Sequence, residues 1–335
     1  MAELADWMLV AAALAATAVT VLPRSGRPGA RTVQAMGFLL LSVVVSLVWL
    51  RLSSVDVALA EAGLGGGLLG AVLVVIAAAP RRREALTPRG RAWLAPTLGT
   101  AAGAALTVVL AAVWVRVAQT MPEWTQPLQA QMPIGGTGGD GVTHEITGVL
   151  LAFRGYDTLL ESGVLMMAGV AALALRREAA PSAPLGRKSA AAPVPPVLSA
   201  GTDALVWLVR VIAPVLLLAG LWLLFAGSTD SGGAFQSGAV LAAMLILLRV
   251  TGTVPDWLTA AGSDALLRLS LVIGVVVFIV AGLLGPLAGQ PWLSWDGGWA
   301  FAAILTVEIL LTVGIAAGLY ALFISLGGAD EVVQS

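Results

Sequence analysis

Long apolar runs separated by short polar turns dominate this chain. A helix needs roughly 20 apolar residues to cross the hydrocarbon core of a bilayer. Nine stretches meet or approach that length: Leu4–Leu22, Val33–Leu50, Val57–Ala79, Trp93–Val117, Thr158–Leu175, Leu205–Ala226, Ala234–Val250, Leu266–Leu287 and Trp299–Leu326. The fifth and seventh are short, and the last is long enough to tilt or protrude. Leu4–Leu22 reads as a first true span rather than a signal peptide. Its flank is acidic (Glu3, Asp6) and no small-residue cleavage site precedes Pro23.

Composition agrees with that pattern. Of 335 residues, 59% are hydrophobic and 11% charged, against about 25% charged in soluble domains. The prediction is an all-α integral membrane protein. A net charge of −1 leaves no basic footprint for nucleic acid. There is no cysteine and one histidine, His144. Disulfides, thiolate zinc sites, Fe–S clusters and bis-histidine haem are therefore excluded, and no cofactor or metal is expected. Basic residues orient the bundle. With the N-terminus outside, 15 of the 18 Lys and Arg residues fall on the inner side, and only Arg51, Arg116 and Arg154 fall outside. The positive-inside rule thus selects an outside N-terminus and a cytoplasmic C-terminus. Trp49, Trp93, Trp207 and Trp299 sit near span edges, as interfacial anchors or by chance.

The chain divides into modules of three, two and four spans: residues 1–90, 91–180 and 205–335. A Pro/Ala-rich stretch at 181–204, with Pro181, Pro184, Pro193, Pro195 and Pro196, reads as a cytoplasmic linker. The weaker boundary is the Arg-rich loop Arg81–Arg91. The longest outer segment, Gln119–Asp157, holds the glycine run Gly135–Gly141. It lacks the strand and GK[ST] context of a phosphate cradle. Within it, Ile146–Phe153 is apolar but too short to span, and reads as interfacial. His144 has no second base or nucleophile beside it and reads as a surface residue; no enzymatic constellation can be assembled.

Acidic residues within a span cost roughly 2.5–3.5 kcal/mol each on insertion scales and need a partner, a proton or a function. Three sites stand out. Asp56 and Glu61 open the third span, ahead of a run containing Gly63, Gly65, Gly66, Gly67 and Gly70. Those glycines allow close helix contact, and they also permit a break or bulge. Asp157 and Glu161 lie four apart on one helix face, with Arg154 near enough to compensate one of them. They form either an ion-paired cap or a pair able to share a proton. Glu308 lies about 13 Å along the helix axis from Trp299, with Thr312 on the same face and no basic residue in its span. It is either a neutral structural glutamate or an ion-handling group. A glycine-rich outer turn, Gly227–Gly238, leads into the seventh span and places Gln236 in its first turn.

These motifs together resemble a known family. Asp56–Gly70 (DVALAEAGLGGGLLG) is similar to the three-helix module at the C-terminal end of the large A subunit of Mrp-type multisubunit cation/proton antiporters. That module is also a small separate subunit of membrane-bound hydrogenases. Ala152–Glu161 (AFRGYDTLLE) resembles the two-helix module that follows it. Gly227–Gly238, with TVEILLTVGIAAGLYAL around Glu308, resembles the B subunit. The B-subunit turn of that family usually carries a histidine and an asparagine, and the turn here has neither. The resemblance implies a fused accessory subunit of a Na+/H+ antiporter in the plasma membrane, not an enzyme. Asp56, Glu61, Asp157, Glu161 and Glu308 would line or tune an ion path at subunit interfaces, and Arg154 would act as a charge partner. The pumping subunits of this group use lysines on broken helices. The single lysine here, Lys188, lies outside every span, so a lysine-bearing pumping subunit is the implied partner, beside Na+, H+ and lipid. Two other readings stay open: a subunit of a hydrogenase-like or inorganic-carbon uptake complex, and a scaffold for pumping subunits.

Overall fold

The computed structural model describes residues 2–21, 30–70, 142–179, 202–255, 263–295 and 298–332, with isolated helical positions at 72, 73, 77, 105, 109, 112 and 116. Met1–Ala79 and Met132–Ser335 form one compact unit, and Pro80–Gln131 a second. The described elements are all helical. They run α1 (Ala2–Val21), α2 (Ala30–Arg51), α3 (Val55–Glu61), α4 (Glu145–Gly148), α5 (Gly155–Ala179), α6 (Thr202–Ala226), α7 (Ala234–Val250), α8 (Ser263–Leu287) and α9 (Ala300–Val332). Two π-helical turns, Ala62–Leu69 and Val149–Phe153, continue α3 and α4 without a break.

Among the described residues, five helices are long and apolar enough to cross a membrane, those within α2, α5, α6, α8 and α9. Ala11–Thr20 and α7 are apolar but shorter. The count differs from nine for local reasons. The expected third span is divided between α3 and a π-helical turn, and most of its continuation lies outside the described residues. Most of the expected fourth span, the glycine run 135–141 and most of the linker also lie outside them. Helix α6 begins at Thr202, three residues before the expected start of its span.

Helix α9 is the hub: it packs on α5, α7 and α8, while α1 pairs with α2 and α6 with α7. Small residues let the hub helices approach. A Cβ on Gly274 of α8 would lie 2.6 Å from the Leu310 carbonyl oxygen, and one on Gly238 of α7 would lie 2.7 Å from Ile315 Cγ2. The core between them is apolar, with Phe278, Ile304, Val307, Leu311 and Ala242 buried. The outward faces are also apolar, including Leu160, Val164, Met167, Leu218, Trp222 and Leu269. Helices apolar on both faces suit a hydrocarbon or multisubunit environment.

The connection after α8 shows how a backbone break is repaired. Pro286 sits in the last turn and lacks the N–H that would bond the Gly282 carbonyl. The Leu293 N–H takes that carbonyl instead, at 3.1 Å. The same loop ties down the π-helical turn before α5: Trp295 Nε1 donates to the buried Leu151 carbonyl at 2.7 Å, and Trp292 stacks on Tyr156 at 4.9 Å. Within Ile146–Phe153, expected at the membrane interface, Leu151 is buried while Ile146 and Leu150 are exposed. Of the expected aromatic anchors, Trp207 is exposed, Trp49 half-buried, and Trp299 stacks on Trp295, while Trp93 lies outside the described residues.

Close α8–α9 packing makes a size-specific prediction. Gly274→Ala forces backbone apart and is expected to cost about 1–3 kcal/mol. Gly163→Ala on α5 meets nothing within 4 Å and is expected to be neutral or mildly stabilising. Thermal midpoints of the detergent-solubilised protein distinguish the two.

Candidate functional site

The site is built at one end of the helices, where three separate segments converge. The first is the α2–α3 hairpin. Helix α2 ends in Leu52–Ser54, with Ser53 in the left-handed region at φ +60° and the Ser54 N–H bonded to the Trp49 carbonyl at 2.9 Å. This tight reversal sets Asp56 in the first turn of α3, where it is buried at 6% exposure.

The second segment is the α6–α7 turn. The Leu223 carbonyl accepts from both the Gly227 and Gly233 N–H groups, closing the turn on itself. Gly233 adopts φ +110°, ψ −174°, a conformation that L side chains avoid. The closed turn presents donors to Asp56: Ser231 Oγ donates to Oδ2 at 3.1 Å and the Gly232 N–H to Oδ1 at 3.1 Å. From the start of α7, Gln236 Nε2 reaches the Asp56 backbone carbonyl at 3.5 Å.

The third segment leads into α4. The Thr143 and His144 N–H groups both donate to the Ser228 carbonyl, at 2.9 and 3.2 Å. Thr147 Oγ1 donates to the Gly227 carbonyl at 2.5 Å. These bonds carry His144 onto Asp56, with Nε2 3.4 Å from Oδ2 and Nδ1 3.3 Å from Thr147 Oγ1. The expectation of a surface role for His144 is corrected: its side chain is only 16% exposed and faces a buried carboxylate. Sequence order hid this contact, because 88 residues separate His144 from Asp56. A signal was present nonetheless. The glycine turn lacks a histidine, and the chain's single one lies in a loop expected on the same side.

Glu308 approaches the turn from α9. It is 4% exposed, and its Oε1 lies 3.4 Å from where a Gly233 Cβ would be, with Gln236 Oε1 3.8 Å from the same point. Two acceptor oxygens thus converge on Gly233. Glu308 Oε2 and the fully buried Ser237 hydroxyl meet no hydrogen-bond partner among the described residues. One turn along α9, Thr312 Oγ1 donates to the Ala234 carbonyl at 3.3 Å and so anchors the start of α7. The arrangement is a row: His144 and Asp56 at one end, the turn and Gln236 in the middle, Glu308 within. A full negative charge on Glu308 is costly in such surroundings, so the group suits a proton or a cation as its companion.

The other expected residues are placed differently. Glu61 is half-buried against α2, where Ser42 Oγ donates to its Oε1 at 2.7 Å. It stands at the start of the π-helical turn that the glycines allow, and a Cβ on Gly65 would collide with both Glu61 and Ser42. Asp157 and Glu161 are exposed on α5. Arg154 pairs with Asp157, its Nε 2.5 Å from Oδ2. Among the described residues no group of three His, Asp or Glu side chains could hold a metal ion.

Replacing Gly233 tests the turn. Gly233→Ala must place a side chain at a glycine-only conformation beside Glu308, and is expected to destabilise the protein by about 1–3 kcal/mol. A thermal midpoint matching that of the unaltered protein would show that the turn relaxes freely.

Comparison with known proteins adds a family relation to this geometry. Residues 204–325 match the family described as a domain related to the MnhB subunit of Na+/H+ antiporter. The chain is similar to a chain in the structure of the Mrp complex from Dietzia sp. DQ12-45-1b, with 24% identity and a TM-score of 0.68. That likeness takes in 97% of this chain and 35% of the other, so this chain spans about a third of the length of its structural counterpart. No curated protein matches. The turn, Gln236 and Glu308 all fall inside the region that matches this family, and the chain shares the fold of part of an Mrp-complex chain.

Proposed function

We propose that this chain is a membrane subunit of a multisubunit Na+/H+ antiporter complex in the plasma membrane. In this reading the row from Asp56 to Glu308 lines part of an ion path where subunits meet. One observation carries it: inside the MnhB-related domain, Glu308 is buried with a carboxylate oxygen that meets no donor among the described residues. A structural glutamate is normally satisfied by donors. One that binds and releases an ion gains by leaving an oxygen open.

The modules take distinct parts in the proposal. Residues 1–90 contribute Asp56 and Glu61, residues 91–180 contribute the segment carrying His144, and residues 205–335 contribute the turn and Glu308. The 181–204 stretch joins formerly separate subunits on the cytoplasmic side. Asp157, Glu161 and Arg154 lie on an exposed face of α5, where a neighbouring subunit would meet them. The pumping lysine comes from another subunit, because Lys188 lies outside every expected span.

The test uses membrane vesicles containing the whole complex, with Na+-driven pH change as the readout. Glu308→Gln keeps size and hydrogen bonding but cannot ionise. It is expected to lower exchange by at least about tenfold with the complex intact, while Glu308→Asp retains part of it. Unchanged exchange in Glu308→Gln would remove the ion-path role, and loss of assembly would favour the scaffold.

A further inference from the structure

His144 is held in an arrangement that its neutral ring cannot fully satisfy. Thr147 Oγ1 gives its hydrogen to the Gly227 carbonyl, so it can only accept from His144 Nδ1, 3.3 Å away. On the other side, Nε2 faces the Asp56 carboxylate, 3.4 Å away. Both ring nitrogens therefore face acceptors. A neutral imidazole carries one N–H and leaves one contact without a proton; the doubly protonated ring donates to both. The contacts are not incidental to the fold. The His144 backbone is fixed by the Ser228 carbonyl, and Asp56 is fixed by Ser231 and Gly232 of the same turn. The His144 side chain is 16% exposed and that of Asp56 is 7% exposed, so the ring is the outward member of the pair. Other charged groups at this end are Glu145, next in the chain, and Asp230, in the turn, both exposed. Asp230 Oδ1 accepts from the Ser231 N–H at 2.7 Å. Beyond Gly233 lies Glu308.

We propose that His144 and Asp56 form a proton-binding site through which protons from the outer side enter and leave the path to Glu308. The neutral ring takes a proton on the nitrogen that lacks one. The Nε2–H bond then breaks as an Oδ2–H bond forms on Asp56, leaving a neutral ring and a neutral carboxylic acid, and the step reverses on release. The pair is the proton's place of exchange, and Gln236 lies beside it, its Nε2 on the Asp56 backbone carbonyl and its Oε1 converging with Glu308 Oε1 on Gly233. Protonation also sets the grip of the turn. The ion pair and the Thr147 contact are complete with the charged ring, and one is lost when the ring is neutral.

This inference rests on the ion-path role proposed for Glu308, and its test separates the two. Vesicles holding the whole complex are prepared with His144→Ala, His144→Gln and Glu308→Gln, and exchange is measured against outer pH, with and without imidazole on the outer side. His144→Ala is expected to slow exchange by at least about tenfold and to flatten its dependence on outer pH. Added imidazole is expected to restore it, and His144→Gln is expected to assemble normally yet stay slow. Wild-type rate and pH profile in His144→Ala would overturn the proposal, as would an assembled His144→Ala complex that imidazole does not restore. Failure of both variants to assemble would make the ring structural and overturn it too. If Glu308→Gln also exchanges normally, the ion-path reading itself fails; if only the His144 variants do, that reading stands and the entry site falls.

Discussion

A carboxylate taken out of water must be met by donors, and Asp56 meets them from two distant parts of the chain. Ser231 and Gly232 come from the α6–α7 turn, and His144 from the segment before α5. Breaking such a buried contact costs several times what an exposed pair would. This one side chain therefore couples the α2–α3 hairpin, the α6–α7 turn and the α4 segment more tightly than their apolar faces alone. Apolar packing between membrane helices is weakly specific, because lipid tails compete for the same surface. Polar contacts at the helix ends supply the register.

The glycine turn serves two ends. It must fold back tightly enough for the Leu223 carbonyl to hold both of its arms, and it must leave room for Glu308 on its other side. A side chain at Gly233 would occupy that room. Absence of a Cβ is thus what leaves the space beside Gly233 to the Glu308 carboxylate. Close contact of α9 with α7 and α8 follows the same logic at Gly238 and Gly274. Small residues let the hub helix that carries Glu308 approach its neighbours closely around an apolar core of larger ones.

Much of this was legible in the sequence. Apolar runs marked α2, α5, α6, α7, α8 and α9 to within a few residues, because length and hydropathy decide such helices. Glu308 stood out because no charge in its span could pair with it. The glycine run after Glu61 permitted a break or bulge, and a π-helical turn is there. What sequence could not show was pairing across distance. His144 looked solitary because its partner is 88 positions away. Asp157 and Glu161 stood as either an ion-paired cap or a proton-sharing pair; Arg154 pairs with Asp157, and both carboxylates lie on an exposed face of α5. Hydropathy places a residue along a helix and says little about which side of the helix it occupies.

The most direct measurement uses the chain's lack of cysteine. Ser231→Cys places a thiol beside Asp56 in the turn, and a membrane-impermeant thiol reagent is added to either side of vesicles carrying the complex. Exchange by the Ser231→Cys complex should stop when the reagent is applied from the outer side, while the unsubstituted complex is unaffected. Full labelling of that thiol with undiminished exchange, or labelling from the cytoplasmic side alone, would contradict an outer ion entrance at this turn.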